Sequence, residues 1–248
     1  QVLLPKIFNF PFTYNSQVKT KIGDLVEVPF GSKKELGVIW KHKYLEPKNI
    51  KIKNIIRKTG YNIDTKLVDF IEWFSIYNMV PIGLVLKMVI GSDDSFIKKD
   101  QGINNGKKIK SKKYTLNDEQ NLALNFLENT NKKFDVSVLQ GTTGSGKTLV
   151  YFERIKKIIN KNKQALVLLP EIFLTNEFKS RFEDFFGFEP AIWHSKITKK
   201  QKRIIWKGLI NNKIRILVGA RSSLLLPFKN LGVIIVDEEH DTSYKQDE

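Results

Sequence analysis

The stretch Gly141-Thr142-Thr143-Gly144-Ser145-Gly146-Lys147-Thr148 decides the reading of this chain. Its glycines, lysine and terminal hydroxyl residue match the pattern of a phosphate-binding loop. Glycines let the backbone turn its N–H groups inward around a β-phosphate. The helix expected to start at Lys147 adds positive potential at its N-terminus. Lys147 reaches the β- and γ-phosphates as a mobile point charge, and the Thr148 hydroxyl is a ligand for Mg²⁺. By residue frequency the fixed positions recur by accident in roughly one such chain per hundred, before any context is required. The context also fits: the apolar stretch Phe134–Leu139 reads as a strand leading into the loop, and Lys147–Asn160 has the periodicity of a helix.

Outward from the loop the rhythm is strand–helix alternation. A helix is expected at Asp118–Leu127, a strand at Ala165–Leu169, a helix at Thr175–Phe185 and a strand at Ala191–Trp193. A helix at Thr198–Ile210 and strands at Ile214–Val218 and Gly232–Val236 follow. Strands without polar alternation, separated by helices, predict an α/β fold: a parallel sheet with helices on both faces. The run Lys199-Lys200-Gln201-Lys202-Arg203 reads as a solvated helix face.

The last of these strands ends in carboxylates, Val236-Asp237-Glu238-Glu239-His240. Asp237, at the strand tip, is placed to hold Mg²⁺ at the carboxyl edge of the sheet. Glu238 is placed to orient or deprotonate a water at the γ-phosphate, which indicates hydrolysis rather than transfer to a small-molecule hydroxyl. Gln120 is the third residue after a candidate N-cap, Asn117, which makes a capping box. Arg221 follows a strand end among small residues, a setting that suits a phosphate contact. His194 reads as structural.

Before the linker the pattern is different. Gln1–Lys53 reads as short strands, with Val26 and Val28 alternating and Gly23-Asp24 as a turn. Asp64 opens an amphipathic helix that Pro81 stops, and a short helix covers Leu84–Ile90. Gly91–Lys113 is polar and rich in Gly, Ser, Asn and Lys, a linker. The expected domains are thus 1–90, β-rich, and 114–248, α/β, joined by 91–113.

Composition adds bounds. The net charge is +16, and residues 1–113 hold 21 of the 42 Lys+Arg but only 10 of the 26 Asp+Glu. That excess suits a polyanion partner, although a Lys-, Asn- and Ile-rich chain also reflects an AT-rich genome. No cysteine is present, which excludes a disulfide framework and Cys-ligated zinc within these residues. Met79–Ile90 is too short to span a bilayer and carries Lys87. No signal peptide is visible, so a cytoplasmic location without a membrane partner is expected.

Together the motifs resemble the PriA-type (primosomal protein N′) replication-restart helicases of superfamily two. Asp237-Glu238-Glu239-His240 is a DEEH form of the DExH box, and Asp241-Thr-Ser-Tyr-Lys-Gln246 resembles the start of an aromatic-rich loop. Leu168-Leu-Pro-Glu-Ile-Phe-Leu-Thr175, Trp193-His-Ser195 and Gly219-Ala-Arg-Ser-Ser-Leu-Leu-Leu-Pro-Phe228 fit the same family. The resemblance implies that 114–248 is the first RecA-like motor lobe, ending soon after its acidic motif. Gln120 would then read adenine, and Thr175, Arg221, Ser222, Tyr244 and Lys245 would face DNA. His240 would couple the nucleotide and DNA sites. Residues 1–90 resemble the family's 3′-DNA-end-binding domain through Leu4-Pro5, Pro11-Phe-Thr-Tyr14, Val28-Pro-Phe-Gly31 and Pro81-Ile-Gly83. Phe12, Thr13, Gly31 and Lys53 match its pocket, where an aromatic face stacks a base, glycine admits the sugar and lysine meets phosphate. Thr13 departs from the usual Asp, and 91–113 is too short for the family's winged-helix module.

What this implies is ATP- and Mg²⁺-dependent 3′→5′ unwinding at forks, in a bacterial, nucleoid-associated protein. Its expected partners are forked DNA with a 3′ end, single-stranded DNA, primosome proteins and single-strand-binding protein. Zinc cysteines, an arginine finger and a second lobe are expected only beyond Glu248. The competing readings are another DExH repair translocase, RecG- or RecQ-like, and a DNA-binding module without catalysis.

Overall fold

The computed structural model describes residues 1–41, 52–91, 114–129, 134–142 and 144–244. They group into two units. The first combines the described residues of 1–103 with Thr198–Asn211 and Leu224–Lys229; the second holds the rest.

In the first unit, β1 (Val2–Leu3), β2 (Asp24–Phe30), β3 (Lys33–Ile39) and β4 (Arg57–Asn62) form an antiparallel sheet in the order β1-β3-β2-β4. The alternation read at Val26 and Val28 turns both inward; they pack with Val2, Leu4 and Ile39. Phe30 faces Lys33, so the β2–β3 connection is Gly31-Ser32. Gly31 has φ +60°, a left-handed turn position that glycine takes without a Cβ penalty. Helix α1 (Thr65–Tyr77) is capped by Asp64, whose Oδ1 accepts from the Lys66 amide at 2.9 Å. Helix α2 (Ile82–Ile90) buries Val85, Leu86, Val89 and Ile90.

Asp24 is 1% exposed. Its carboxylate meets Lys58 Nζ at 2.6 Å, the Lys21 amide at 2.8 Å and Asn62 Nδ2 at 3.1 Å. Burial alone would push this carboxyl up, but those partners outweigh it and hold it below its ordinary value.

The second unit contains α3 (Asp118–Glu128), α4 (Lys147–Asn160), β5 (Gln164–Leu168), α5 (Asn176–Phe186), β6 (Ala191–Trp193), β7 (Ile216–Gly219) and β8 (Leu231–Val236). Its sheet is parallel, in the order β6-β7-β5-β8. Ala165, Val167, Ile216 and Val218 share a face and pack with Phe152 of α4 and Phe182, Phe185 and Phe186 of α5. Leu166 and Leu217 alternate to the opposite face and are fully buried too, so both faces are covered as expected.

Helix α6 (Lys199–Ile210) begins with the capping box Thr198–Gln201 and groups with the first unit. There Trp206 Nε1 donates to the Val89 carbonyl at 2.8 Å, and its ring meets that of Tyr61 edge-on. Lys199, Lys200 and Gln201 are exposed; Lys202 and Arg203 are partly covered.

One expected strand does not form. Among the described residues, 134–139 find no ladder partner, and Phe134, Val136 and Val138 are 81%, 75% and 83% exposed. An apolar stretch signals the propensity to be a strand, but a strand exists only where a partner supplies the ladder. The edge strand β8 exposes Leu231, Ile234 and Val236, and among the described residues its outer edge pairs with no strand. The linker residues 92–113 lie outside the described residues.

Candidate functional site

Helix α4 starts at Gly146, which has φ +83° and caps the helix without any side-chain hydrogen bond. Its first N–H groups therefore have no side-chain cap to compete with an anion. A Cβ at Gly144 would meet nothing within 4 Å, so the loop is open on that side. At Gly146 a Cβ would lie 2.4 Å from Gln120 Nε2. Gln120 makes the capping box: its amide donates to Asn117 Oδ1 at 2.8 Å, and its Oε1 accepts from the Asn117 amide at 3.1 Å. Its Nε2 also donates to the Ser145 carbonyl at 3.0 Å, bracing the loop from α3. Lys147 Nζ donates to the Gly141 and Thr142 carbonyls, at 2.6 and 3.1 Å. Thr143 lies outside the described residues.

Strand β8 delivers Asp237 beside this helix. The Tyr151 hydroxyl donates to Asp237 Oδ2 at 2.7 Å, and Thr148 lies three residues before Tyr151 on the same helix face. Asp237 Oδ1 accepts from the Glu238 amide at 3.1 Å. Glu238 has φ +51°, a left-handed conformation that costs a non-glycine residue about 1–2 kcal/mol. Burial, and then the charge of Asp237, push the Tyr151 phenol far above its ordinary value. His240 is exposed, with Nε2 3.6 Å from Glu238 Oε2 and Nδ1 3.8 Å from Glu239 Oε2.

The chain after Asp237 turns back on it. The Tyr244 hydroxyl donates to the Asp237 carbonyl at 2.8 Å, and Arg221 Nη1 donates to the Tyr244 carbonyl at 3.0 Å. Burial, followed by Asp237, Asp241 and Glu238, raises the Tyr244 phenol strongly. Arg221 and Ser222 open a 3₁₀ turn just beyond β7, and Ser222 Oγ accepts from Trp193 Nε1 at 3.2 Å. Thr175 is exposed and N-caps α5, its Oγ1 accepting from the Phe178 amide at 3.2 Å. Thr175, Arg221, Ser222 and Asp237 all follow the carboxyl ends of parallel strands, the edge where such sheets bind ligands. Lys245 lies outside the described residues.

Among the described residues no three His, Cys, Asp or Glu side chains gather as a metal site. Thr148 and Asp237 nevertheless fit Mg²⁺, which is commonly held by one or two protein oxygens together with substrate phosphates. An uncapped helix start beside them fits those phosphates.

In the first unit, Phe12 is partly buried. Its ring meets those of Phe8, Phe10 and Phe30 at 5.0, 5.2 and 5.3 Å. Through Phe30 it neighbours Gly31, where a Cβ would meet nothing within 4 Å. Lys53 is exposed, and its carbonyl accepts from the Asn15 amide at 2.9 Å, two residues beyond Thr13. Tyr14 is half-buried, its hydroxyl donating to the Pro29 carbonyl.

Comparison with known proteins follows this division. Residues 1–91 match the family described as 3′ DNA-binding domain (3′BD), and residues 113–247 that described as type III restriction enzyme, res subunit. The whole chain is 41% identical over 254 residues to the replication restart protein PriA of Rickettsia conorii. This chain belongs to the PriA family. It spans 38% of the Rickettsia PriA protein's length. PriA of Helicobacter pylori J99 is 34% identical over 235 residues, 95% of this chain and 36% of that protein. PriA of Bacillus subtilis is 43% identical over 141 residues, 56% of this chain and 18% of its own length.

Two features of this PriA-family chain escaped the reading of its sequence. Tyr151 was not singled out, although its spacing of three from Thr148 puts both on one helix face. No sequence signal announced its bond to Asp237, nor the brace from Gln120 to Ser145.

Proposed function

We propose that this chain forms the DNA-end-binding domain (1–90), linker (91–113) and first motor lobe (114–248) of an ATP-dependent 3′→5′ DNA helicase. The whole protein would restart replication at stalled or repaired forks. The observation that carries the reading is the Tyr151–Asp237 hydrogen bond, which ties the helix that follows the phosphate loop to the acidic strand tip. It does so in a chain whose other part matches a 3′ DNA-binding domain.

In this reading Gly141–Gly146 cradle the phosphates, Lys147 neutralises their charge, and Gln120 lies beside the loop to contact the base. Thr148 and Asp237 hold Mg²⁺, which supplies charge neutralisation at the phosphates when bound. Glu238 accepts the proton of the attacking water. Thr175, Arg221, Ser222, Tyr244 and Lys245 face the DNA strand, and His240 links the two sites. Phe12, Thr13, Gly31 and Lys53 receive a 3′ end. Forked and single-stranded DNA are the substrates, with primosome and single-strand-binding proteins as partners in a cytoplasmic, nucleoid-associated protein. Among the described residues no helix is long and apolar enough to cross a membrane. Zinc belongs to sequence outside these 248 residues, which hold no cysteine.

The test is fork unwinding and DNA-stimulated ATP hydrolysis by the protein at its relatives' length. Lys147→Ala abolishes hydrolysis while fork binding persists; equal loss of both overturns the two-site reading. In anisotropy titrations of the 248-residue chain, Phe12→Ala weakens binding to a fork ending in a 3′-hydroxyl by about 1–3 kcal/mol. Because Thr13 provides no carboxylate, a 3′-phosphate is disfavoured only modestly. Equal affinity for both ends, unchanged in Phe12→Ala, removes the end-binding assignment.

A further inference from the structure

Tyr151 is 4% exposed, and its ring belongs to the aromatic core with Phe152 of the same helix. Its hydroxyl nevertheless reaches the polar end of the sheet, where it donates to Asp237. We infer that Tyr151 is a positioning residue for the divalent cation: its hydroxyl fixes the Asp237 carboxylate as a preformed ligand, about one helical turn from the Thr148 hydroxyl. The inference rests on the nucleotide-site reading above.

Donor bookkeeping gives the bond a direction. An ionised carboxylate only accepts, and a phenol has a single proton. The Tyr151 proton is committed to Asp237 Oδ2 at 2.7 Å. Asp237 is held at both ends, since Oδ1 accepts from the Glu238 amide at 3.1 Å, yet each oxygen retains lone pairs. Mg²⁺ demands near-ideal octahedral geometry, so ligands fixed in advance bind it better than ligands free to rotate. Removing hydrogen-bond partners that orient metal ligands typically weakens metal affinity by about 10–100-fold.

The experiment compares the 248-residue chain with Tyr151→Phe, which keeps the core ring and removes only the hydroxyl. A fluorescent ATP analogue is titrated in EDTA and then across Mg²⁺ concentrations, and Mn²⁺ binding is read by electron paramagnetic resonance. The expected result is equal nucleotide affinity in EDTA and a half-saturating Mg²⁺ concentration raised by about 10-fold or more, with Mn²⁺ weakened in parallel. An unchanged cation dependence overturns the inference alone. Equal losses with and without the cation also overturn it, because the hydroxyl would then serve the fold. If the unaltered chain binds the analogue no better with Mg²⁺ than without, the nucleotide-site reading falls and this inference with it.

Discussion

The Tyr244 hydroxyl donates to the main-chain carbonyl of Asp237 at 2.8 Å, tying the segment after the acidic motif to the strand tip itself. The Tyr244 carbonyl in turn accepts from Arg221. A nucleic-acid phosphate that draws Arg221 away would release this tie, so a signal at Arg221 reaches Asp237 through one side chain. In the full-length protein, Tyr244→Phe lowers the ratio of DNA-stimulated to basal ATP hydrolysis. Couplings of this kind amount to about 0.5–2 kcal/mol, roughly 2–30-fold. A ratio equal to that of the unaltered protein would remove Tyr244 from the path.

Gln120 serves a helix cap and the phosphate loop with different atoms, which makes the two roles separable. Gln120→Glu keeps an acceptor for the Asn117 amide but loses the Nε2 donor to Ser145, and it brings a negative charge near the phosphates. Its thermal stability stays close to that of the unaltered chain, while nucleotide affinity falls. Gln120→Ala loses the reciprocal cap as well, and a lost cap costs about 1 kcal/mol. Thermal melts and nucleotide titrations of both variants check this; equal behaviour of the two would show that only one role exists.

Glu238 combines a left-handed backbone with a proposed chemical role. Glycine tolerates φ +51° where alanine does not. Glu238→Gly is therefore more stable than Glu238→Ala, by about 1 kcal/mol, although neither hydrolyses ATP. Glu238→Gln keeps nucleotide and Mg²⁺ binding but stalls water attack. Chemical denaturation of the series measures the backbone contribution, and a Gly variant no more stable than the Ala variant would contradict it.

Asp24 makes the first unit acid-sensitive. Its folded-state pKa lies below the unfolded value of about 3.9. The stability it contributes is therefore complete above that value and is lost as pH falls through the folded pKa. Asp24→Asn loses about 1–3 kcal/mol at pH 7, by weakening buried bonds to Lys58 and the Lys21 amide. The difference between the two proteins narrows below about pH 4. A penalty independent of pH would show that packing, and not charge, is at stake.

Much of this architecture was legible residue by residue. Thr175 and Thr198 stop the backbone where their side chains cap helices, and Asp64 does the same for α1. Helix α4 begins and ends where its periodicity predicted, because its start is set by the glycine turn at Gly146. Phe12 and Gly31, read together from the sequence, lie on neighbouring chain segments, because the Phe12 ring meets that of Phe30 beside Gly31.

What the sequence by itself determined were the features built from interactions a few residues apart: caps, helical faces, the phosphate loop and the carboxylates at the end of an apolar run. Only the tertiary structure decided that Phe134–Leu139 has no ladder partner among the described residues and that α6 joins the first unit through Trp206. It also decided that Tyr151 finds Asp237, 86 residues away. A ladder or a buried hydroxyl needs a partner from a distant part of the chain. Local periodicity records which side of a segment seeks burial, but not which atoms it will meet there.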